Sequence, residues 1–250
     1  MIEVNDLTIS TETKTLVKNV SFSLGENESL GIIGKSGSGK SLTALAIMGL
    51  LDRKVFSVKG NIKFFGQNLF ELSEKDLVNV RLSKIAFVYQ NPFNTFSPVE
   101  KINKQINRIY KIKKIKRDND KIKELLKEVS LNESYLNKYP YELSGGELQR
   151  LVILTSLLFN PMLLICDEPT TSLDEETGIR IIELLNKIRV KNKLALIFIT
   201  HDLSIVDKIS QKLIIMNDGE IIERGKTFDI LENPKSDYTK KLLVFSKLGD

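Results

Sequence analysis

Apolar and polar positions alternate at the start of the chain. "IEVNDLTIS" and "NVSFSLGENESLGIIG" read as strands separated by polar turns. After "GSGKS" the pattern condenses into "LTALAIMGLL", a compact apolar helix, and "VKGNIKFFGQNLF" returns to strand and turn, punctuated by Gly60 and Gly66. From Ser73 to about Ser130 the character is helical. Ile102, Ile106 and Ile109, then Ile122, Leu125, Leu126 and Val129, recur near the helical period, which predicts core-facing stripes. From Leu151 helix and strand alternate again. "MLLICD" and "LALIFIT" are apolar without alternation, as parallel strands covered on both faces are, and "EETGIRIIELLNKIRV" between them reads as a helix. No internal repeat or low-complexity linker interrupts the chain. The expected architecture is an α/β core with a helical insert at about 72–150 and a polar helical tail after Gly225.

Composition adds limits to that picture. At 250 residues, with 42% apolar and 28% charged side chains, the chain can bury a full core. No run approaches the roughly 18 apolar residues of a membrane span, and "MIEVNDLTIS" lacks the basic start and apolar stretch of a signal peptide. A single cysteine, Cys166, excludes an internal disulfide and fits a reducing interior, with the cytoplasm as default compartment. The net charge of +5 is uneven: residues 101–127 hold eleven Lys or Arg against three Asp or Glu. Such a segment suits either nucleic acid or a solvated helix face near acidic partners or lipid head groups. With only Tyr110 available for base stacking, the solvated face is favoured and no nucleic-acid partner is expected.

The chemistry concentrates at a few turns. "GKSGSGKS", Gly34 to Ser41, satisfies G-x-x-x-x-G-K-[ST] between an apolar strand and a helix. Its glycines let backbone amides turn inward around phosphate oxygens. Lys40 brings a point charge to the β- and γ-phosphates, and Ser41 offers a hydroxyl to Mg²⁺. The alternative, a glycine-rich turn capping an ordinary helix, does not account for the lysine and serine at those places. "LLICDEPT" ends an apolar strand in Asp167, suited to Mg²⁺ directly or through water, and Glu168, suited to polarise an attacking water. A solvated strand end is the competing explanation. His201, the chain's one histidine, follows "LALIFIT", and Gln90 follows the apolar run in "AFVYQNP". A lone histidine is more often structural; here its strand end is expected beside that of Asp167. "LSGGELQR" places a hydroxyl and two glycines at the start of a helix, where free N–H groups and the dipole favour an anion.

Together, "GKSGSGKS", Gln90, "LSGGELQR", "LLICDE", "SLD" and "THD" resemble the nucleotide-binding domain of an ABC transporter, from about residue 2 to 245. The resemblance implies a P-loop NTPase (RecA-like) α/β core with an N-terminal antiparallel β-subdomain and an inserted α-helical subdomain. The implied division is 1–72 for the β-subdomain and phosphate-loop core, 73–150 for the helical subdomain ending in LSGG, 151–225 for the remaining core and 226–250 for the tail. It also implies ATP and Mg²⁺, with Gly34, Lys35, Ser36, Gly37, Ser38, Gly39, Lys40, Ser41 and Leu42 around the phosphates and Ser41, Gln90 and Asp167 at the metal. Glu168, His201 and Gln90 take the catalytic roles. Two cassettes pair head to tail, so that Ser144, Gly145, Gly146 and the D-loop Asp174 of one complete the ATP site of the other.

"IAFVYQNPFNTFSPVEKINKQI" and "ENPKSDYTKKLL" resemble the Gln-loop region and tail of the oligopeptide, dipeptide and nickel importer ATPases. The chain lacks the cysteine-bearing extension of the longer peptide-type members, which points to the shorter nickel or metallophore form. The implied function is an ATP-hydrolysing importer subunit, peripheral on the cytoplasmic face of the membrane. Its partners are two permeases, a second cassette (self or sister) and, indirectly, an extracellular solute-binding protein. The alternative is a soluble ABC ATPase, either a phosphonate-lyase-type accessory or a translation-associated factor. Three departures stand out: Glu147 where the family has Gln, Asp237 for Pro in the tail motif, and no aromatic in the first 21 residues. The family's adenine-stacking ring is expected near Ser10, Thr11 or Thr13. Its loss softens adenine selectivity, with Val17 and Val20 as candidate apolar replacements.

Overall fold

The computed structural model describes residues 1–248, with side chains described through Val244. Strands β1 (Ile2–Ser10) and β2 (Thr15–Leu24) pair antiparallel, Val4 opposite Phe22. In β1 the buried residues are Ile2, Val4, Leu7 and Ile9, so strict alternation slips by one between Val4 and Leu7. The cause is a register shift there, with Asp6 at φ 51° and its N–H donating to the Ser21 hydroxyl at 2.8 Å. One extra residue at a bulge returns the apolar set to the same face. Strand β3 (Ser29–Ile33) leaves for a second sheet, and α1 (Lys40–Met48) follows it. Strands β4 (Ser57–Phe64) and β5 (Gln67–Asn68) then complete a four-stranded antiparallel sheet in the order β2-β1-β4-β5.

The next stretch is mostly helical: α2 (Glu74–Ser83), α3 (Ile102–Ile112), α4 (Asn119–Glu128) and α5 (Gly145–Leu157). It also contains a strand, β6 (Ile85–Val88), which joins the parallel sheet through pairing with β7 (Leu163–Asp167). The expected stripes face inward: Ile102, Ile106, Ile122, Leu125, Leu126 and Val129 are buried. Tyr110 is buried too, so the basic segment offers no ring to a base. Several of its charges are paired internally, Arg108 and Lys104 with Glu100, Lys123 with Glu133.

After α6 (Glu175–Asn192) come β8 (Ala195–Thr200), β9 (Lys212–Asn217) and β10 (Glu220–Lys226), then α7 (Thr227–Glu232) and α8 (Asp237–Leu248). The six-stranded sheet runs β10-β9-β3-β8-β7-β6. All its pairings are parallel except the β9–β10 hairpin, turned by Asp218 at φ 47° and Gly219 at φ 84°. Two positive φ values in a two-residue Asp-Gly loop are what a right-twisted hairpin needs. Along β7, Leu163 and Ile165 enter the core beneath the antiparallel sheet and α1, whereas Leu164 and Cys166 enter the core shared with α3–α6. The sheet is therefore covered on both faces, and its strands read as unbroken apolar runs. Burial pushes the Cys166 thiol far up, leaving it neutral.

Of the expected divisions, the one between 150 and 151 falls within α5, and β6 inside 73–150 belongs to the central sheet. Residues 249–250 of the tail lie outside the described residues. Among the described residues no helix is long and apolar enough to cross a membrane.

Candidate active site

The turn between β3 and α1 is built to receive an anion. Gly39 precedes the helix at φ 99° and carries no side-chain cap, so the first amides of α1 have no side chain over them. A Cβ on Gly34 would run into the Met216 carbonyl oxygen and the Ser38 hydroxyl, so only glycine lets the loop lie against β9. Lys40 is 4% exposed, and its ammonium donates to the Gly34 and Lys35 carbonyl oxygens at 2.8 and 3.0 Å. Burial pushes its pKa down, and the Glu168 and Asp167 carboxylates pull the other way. The Ser38 hydroxyl is buried with no hydrogen-bond partner. An orphaned hydroxyl, a desolvated ammonium and free helix amides fit a triphosphate.

Asp167 ends β7, where it accepts from the Ser41 hydroxyl at 3.0 Å. Burial raises its pKa, reinforced by the like charge of Glu168, while Ser41 and Lys40 oppose the shift. Glu168 turns the chain at φ 47°, and its N–H donates to the Ile199 carbonyl at 2.9 Å. Its Oε2 accepts from Thr171 Oγ1 at 2.9 Å and Gln90 Nε2 at 3.1 Å, and lies 3.2 Å from His201 Nδ1. Three side chains from three loops thus meet on one carboxylate oxygen. Gly34 to Leu42, Gln90, Glu168 and His201 line one cleft of about 630 Å³, joined by Leu242 of α8. Among the described residues no cluster of three His, Cys, Asp or Glu could hold a metal unaided. A metal at this place would draw on the Ser41 hydroxyl, the Gln90 amide, the Asp167 carboxylate and phosphate oxygens, a donor set of the kind Mg²⁺ takes.

Ser144, Gly145, Gly146 and Asp174 do not line that cleft. They form a second cluster. Ser144 caps α5, accepting from Glu147 N at 3.3 Å, while Glu147 Oε2 accepts from the Ser144 N–H and hydroxyl at 2.8 and 2.9 Å. Tyr135 donates to the other Glu147 oxygen at 2.7 Å. Burial alone would raise the Glu147 pKa, but these bonds win and lower it, so the carboxylate stays charged beside the helix end. A Cβ on Gly146 would stand 2.5 Å from Thr177 Cγ2, and one on Gly145 3.0 Å from Leu173 Cδ2. Asp174 caps α6 by accepting from Thr177 N at 2.9 Å, which holds its carboxyl low. Gly146 therefore lies against the start of α6, and Gly145 against the loop that precedes it.

One expectation is corrected. Val17 and Val20 are 0% and 1% exposed, packed under the antiparallel sheet, and cannot reach a base. Between them and the β1–β2 turn only Leu16 is partly exposed among apolar side chains, with its carbonyl oxygen near Gly39 and Gly219. Sequence reasoning also missed Thr171 and Leu242. The signal for Thr171 was the hydroxyl three residues after Glu168, which becomes informative once Glu168 turns the chain back. Another cavity, about 390 Å³ near Met1, Leu157 and Leu194, lies at the amino ends of β7 and β8 and holds none of these groups.

Comparison with known proteins gives the family. Residues 17–171 match the family model described as ABC transporter. The chain is 40% identical over 254 aligned positions to the oligopeptide transport ATP-binding protein OppD of Bacillus subtilis (strain 168), covering 98% of this chain and 71% of that one. It is 39% identical over 255 positions to the metal-staphylopine import system ATP-binding protein CntD of Staphylococcus aureus (strain NCTC 8325 / PS 47), covering 99% and 93%. A solved dimer of the ATP-binding cassette MJ0796, in a post-hydrolysis state bound to ADP and Pi, superposes with a TM-score of 0.78 at 28% identity, covering 91% and 99%.

Proposed function

The chain belongs to the ABC transporter family, and from that membership we propose that it is the ATP-binding and ATP-hydrolysing subunit of an importer. The observation that carries the catalytic part is the convergence of Gln90, Thr171 and His201 on one oxygen of Glu168, at the mouth of the phosphate cleft. A carboxylate fixed on one oxygen keeps the other free to accept a proton from water. Glu168 is the general base, and Gln90 and His201 report to it from neighbouring strand ends.

Residues Gly34 to Leu42 wrap the phosphates, and Lys40 exchanges its two carbonyl partners for phosphate oxygens. Ser41, Gln90 and Asp167 hold Mg²⁺, which when bound neutralises charge developing on the transferred phosphoryl group. Ser144, Gly145, Gly146 and Asp174 stand apart from this cleft and serve a second cassette, whose cleft they complete head to tail. The dimeric state of the MJ0796 cassette supports pairing of two cassettes. ATP closes the pair and hydrolysis reopens it.

The importer relatives support two permease partners, with the chain peripheral on the cytoplasmic face of the membrane. Coupling runs through the groove beside Gln90 and α3, where Tyr89 and Phe93 are exposed. The relatives named for oligopeptide transport and metal-staphylopine import support short peptides or a metal chelate as solute; nickel and delivery by an extracellular binding protein belong to the same proposal. Residues 1–72, 73–150, 151–225 and 226–250 are the proposed functional divisions.

Glu168→Gln tests the reading. ATP binding is retained, an ATP-bound dimer accumulates, and hydrolysis falls about 100- to 10,000-fold. Normal turnover in that variant removes Glu168 from its role.

A further inference from the structure

Just before the α5 cap, two tyrosines form a platform. The rings of Tyr139 and Tyr141 stack with centroids 5.3 Å apart and planes 11° apart, and the Lys101 ammonium lies 5.7 Å from the Tyr139 centroid. The segment that carries them is fixed at both ends. Pro140 and Leu143 are buried, the Tyr139 N–H donates to the Glu142 carboxylate at 2.6 Å, and the Glu142 N–H donates back to the Tyr139 carbonyl at 3.0 Å. Yet Tyr141 is 69% exposed. A large ring held out on a rigid turn, already stacked on one neighbour, is prepared to stack on another flat group.

The phosphate cleft shows the complementary deficit. Among the described residues its lining contains no Phe, Tyr or Trp, and the β1–β2 turn, residues 11–14, has none either. The described lining is equipped for phosphates and a metal, and one ring close by, that of Tyr238, meets the Lys35 ammonium at 5.7 Å without lining the cleft itself. Tyr141 lies three residues before Ser144, a separation of at most about 10 Å along the chain. Ribose and triphosphate together span a length of that order. A helix end that meets the terminal phosphate of a nucleotide therefore has Tyr141 within range of the nucleotide's other end.

We propose that Tyr141 stacks on the nucleobase of ATP held by the phosphate loop of a second copy of this chain, supplying in trans an aromatic surface that the described lining of that cleft does not. The inference rests on the head-to-tail pairing proposed above. It makes Tyr141 a specificity-determining residue whose contact exists only in the closed dimer, so that base recognition and closure become one event.

The experiment uses Glu168→Gln protein, which keeps its nucleotide, in an equimolar mixture of isotopically heavy and light copies. The copies are loaded with Mg²⁺ and 8-azido-ATP, irradiated, and the labelled peptides mapped. Dimer formation with label on the peptide containing Tyr141 is expected. Tyr141→Ala loses that label and raises the ATP concentration for half-maximal dimerisation about tenfold, with Tyr141→Trp restoring both. Two outcomes overturn the inference while leaving the pairing intact. One is a dimer labelled on residues 11–18 instead; the other is an equal loss with Tyr141→Ala for ATP, GTP, CTP and UTP that Tyr141→Trp does not restore, which assigns the ring to protein contact. If saturating nucleotide yields no dimer at all, the pairing itself falls and the inference with it.

Discussion

The Ser41 hydroxyl donates directly to the Asp167 carboxylate at 3.0 Å, bridging the start of α1 and the end of β7. Two groups contributed 126 positions apart in sequence thus face each other across the place proposed for the metal. Because burial raises the Asp167 pKa, the folded state takes up a proton there more readily than the unfolded chain. The sign follows: the penalty is absent below the ordinary carboxylate range and grows as pH rises through the raised value. Asp167→Asn should therefore raise the melting temperature of nucleotide-free protein at neutral pH, and the gain should vanish on acidification. Melting curves from pH 3 to 8 read this, and Mg²⁺-dependent hydrolysis should be lost in the same variant.

Lys40→Ala removes the one buried ammonium of the phosphate loop. A charge-assisted hydrogen bond contributes up to about 3 kcal/mol, so ATP affinity should fall about 100-fold or more, measured by calorimetry. Unchanged affinity would count against the loop's role.

Thr171→Val tests the tether on Glu168 that the sequence did not announce. The hydroxyl donates to Glu168 Oε2, and Thr171 does not itself line the cleft. Nucleotide affinity should stay within twofold while turnover falls, by about tenfold for one hydrogen bond to a charged group. Equal losses in both would show that Thr171 shapes the loop instead.

Glu147→Gln keeps the reciprocal cap on α5, since either side chain can close it, and removes a negative charge from beside the helix end. The ATP concentration that half-assembles the dimer should drop about two- to fivefold, following the size of charge effects at helix ends. Light scattering against ATP concentration decides it.

Gly146→Ala places a methyl 2.5 Å from Thr177 Cγ2. Overpacking there should cost about 1–3 kcal/mol in urea unfolding. Thr177→Ser, which deletes the opposing methyl, should recover most of it, because the two positions touch and their effects cannot simply add.

Much of this could be read from the chain. α1, β7, α6 and β8 stood out because each keeps one period, or one unbroken apolar run, for its whole length. β6 was harder, since its four residues lie among helical patterns and their partner, β7, is far along the chain. The hairpin after Lys212 carried a turn signal in Asp218-Gly219 that was visible but unclaimed. The phosphate loop was legible because backbone geometry dictates its residues locally. What converges on Glu168 was legible only in part: Gln90 and His201 follow apolar strands, whereas Thr171 arrives through a backbone turn at Glu168 that side-chain identity does not reveal. Val17 and Val20 misled because a bulge decides which face a strand residue takes, and bulges leave little trace in composition.

Lys40 rests on two carbonyl oxygens of its own loop. The ammonium thus works as an internal template, holding the loop's amides in the curvature that a triphosphate requires. Little chain freedom remains to be surrendered when nucleotide arrives. Binding energy is therefore conserved for the larger task of drawing two molecules together.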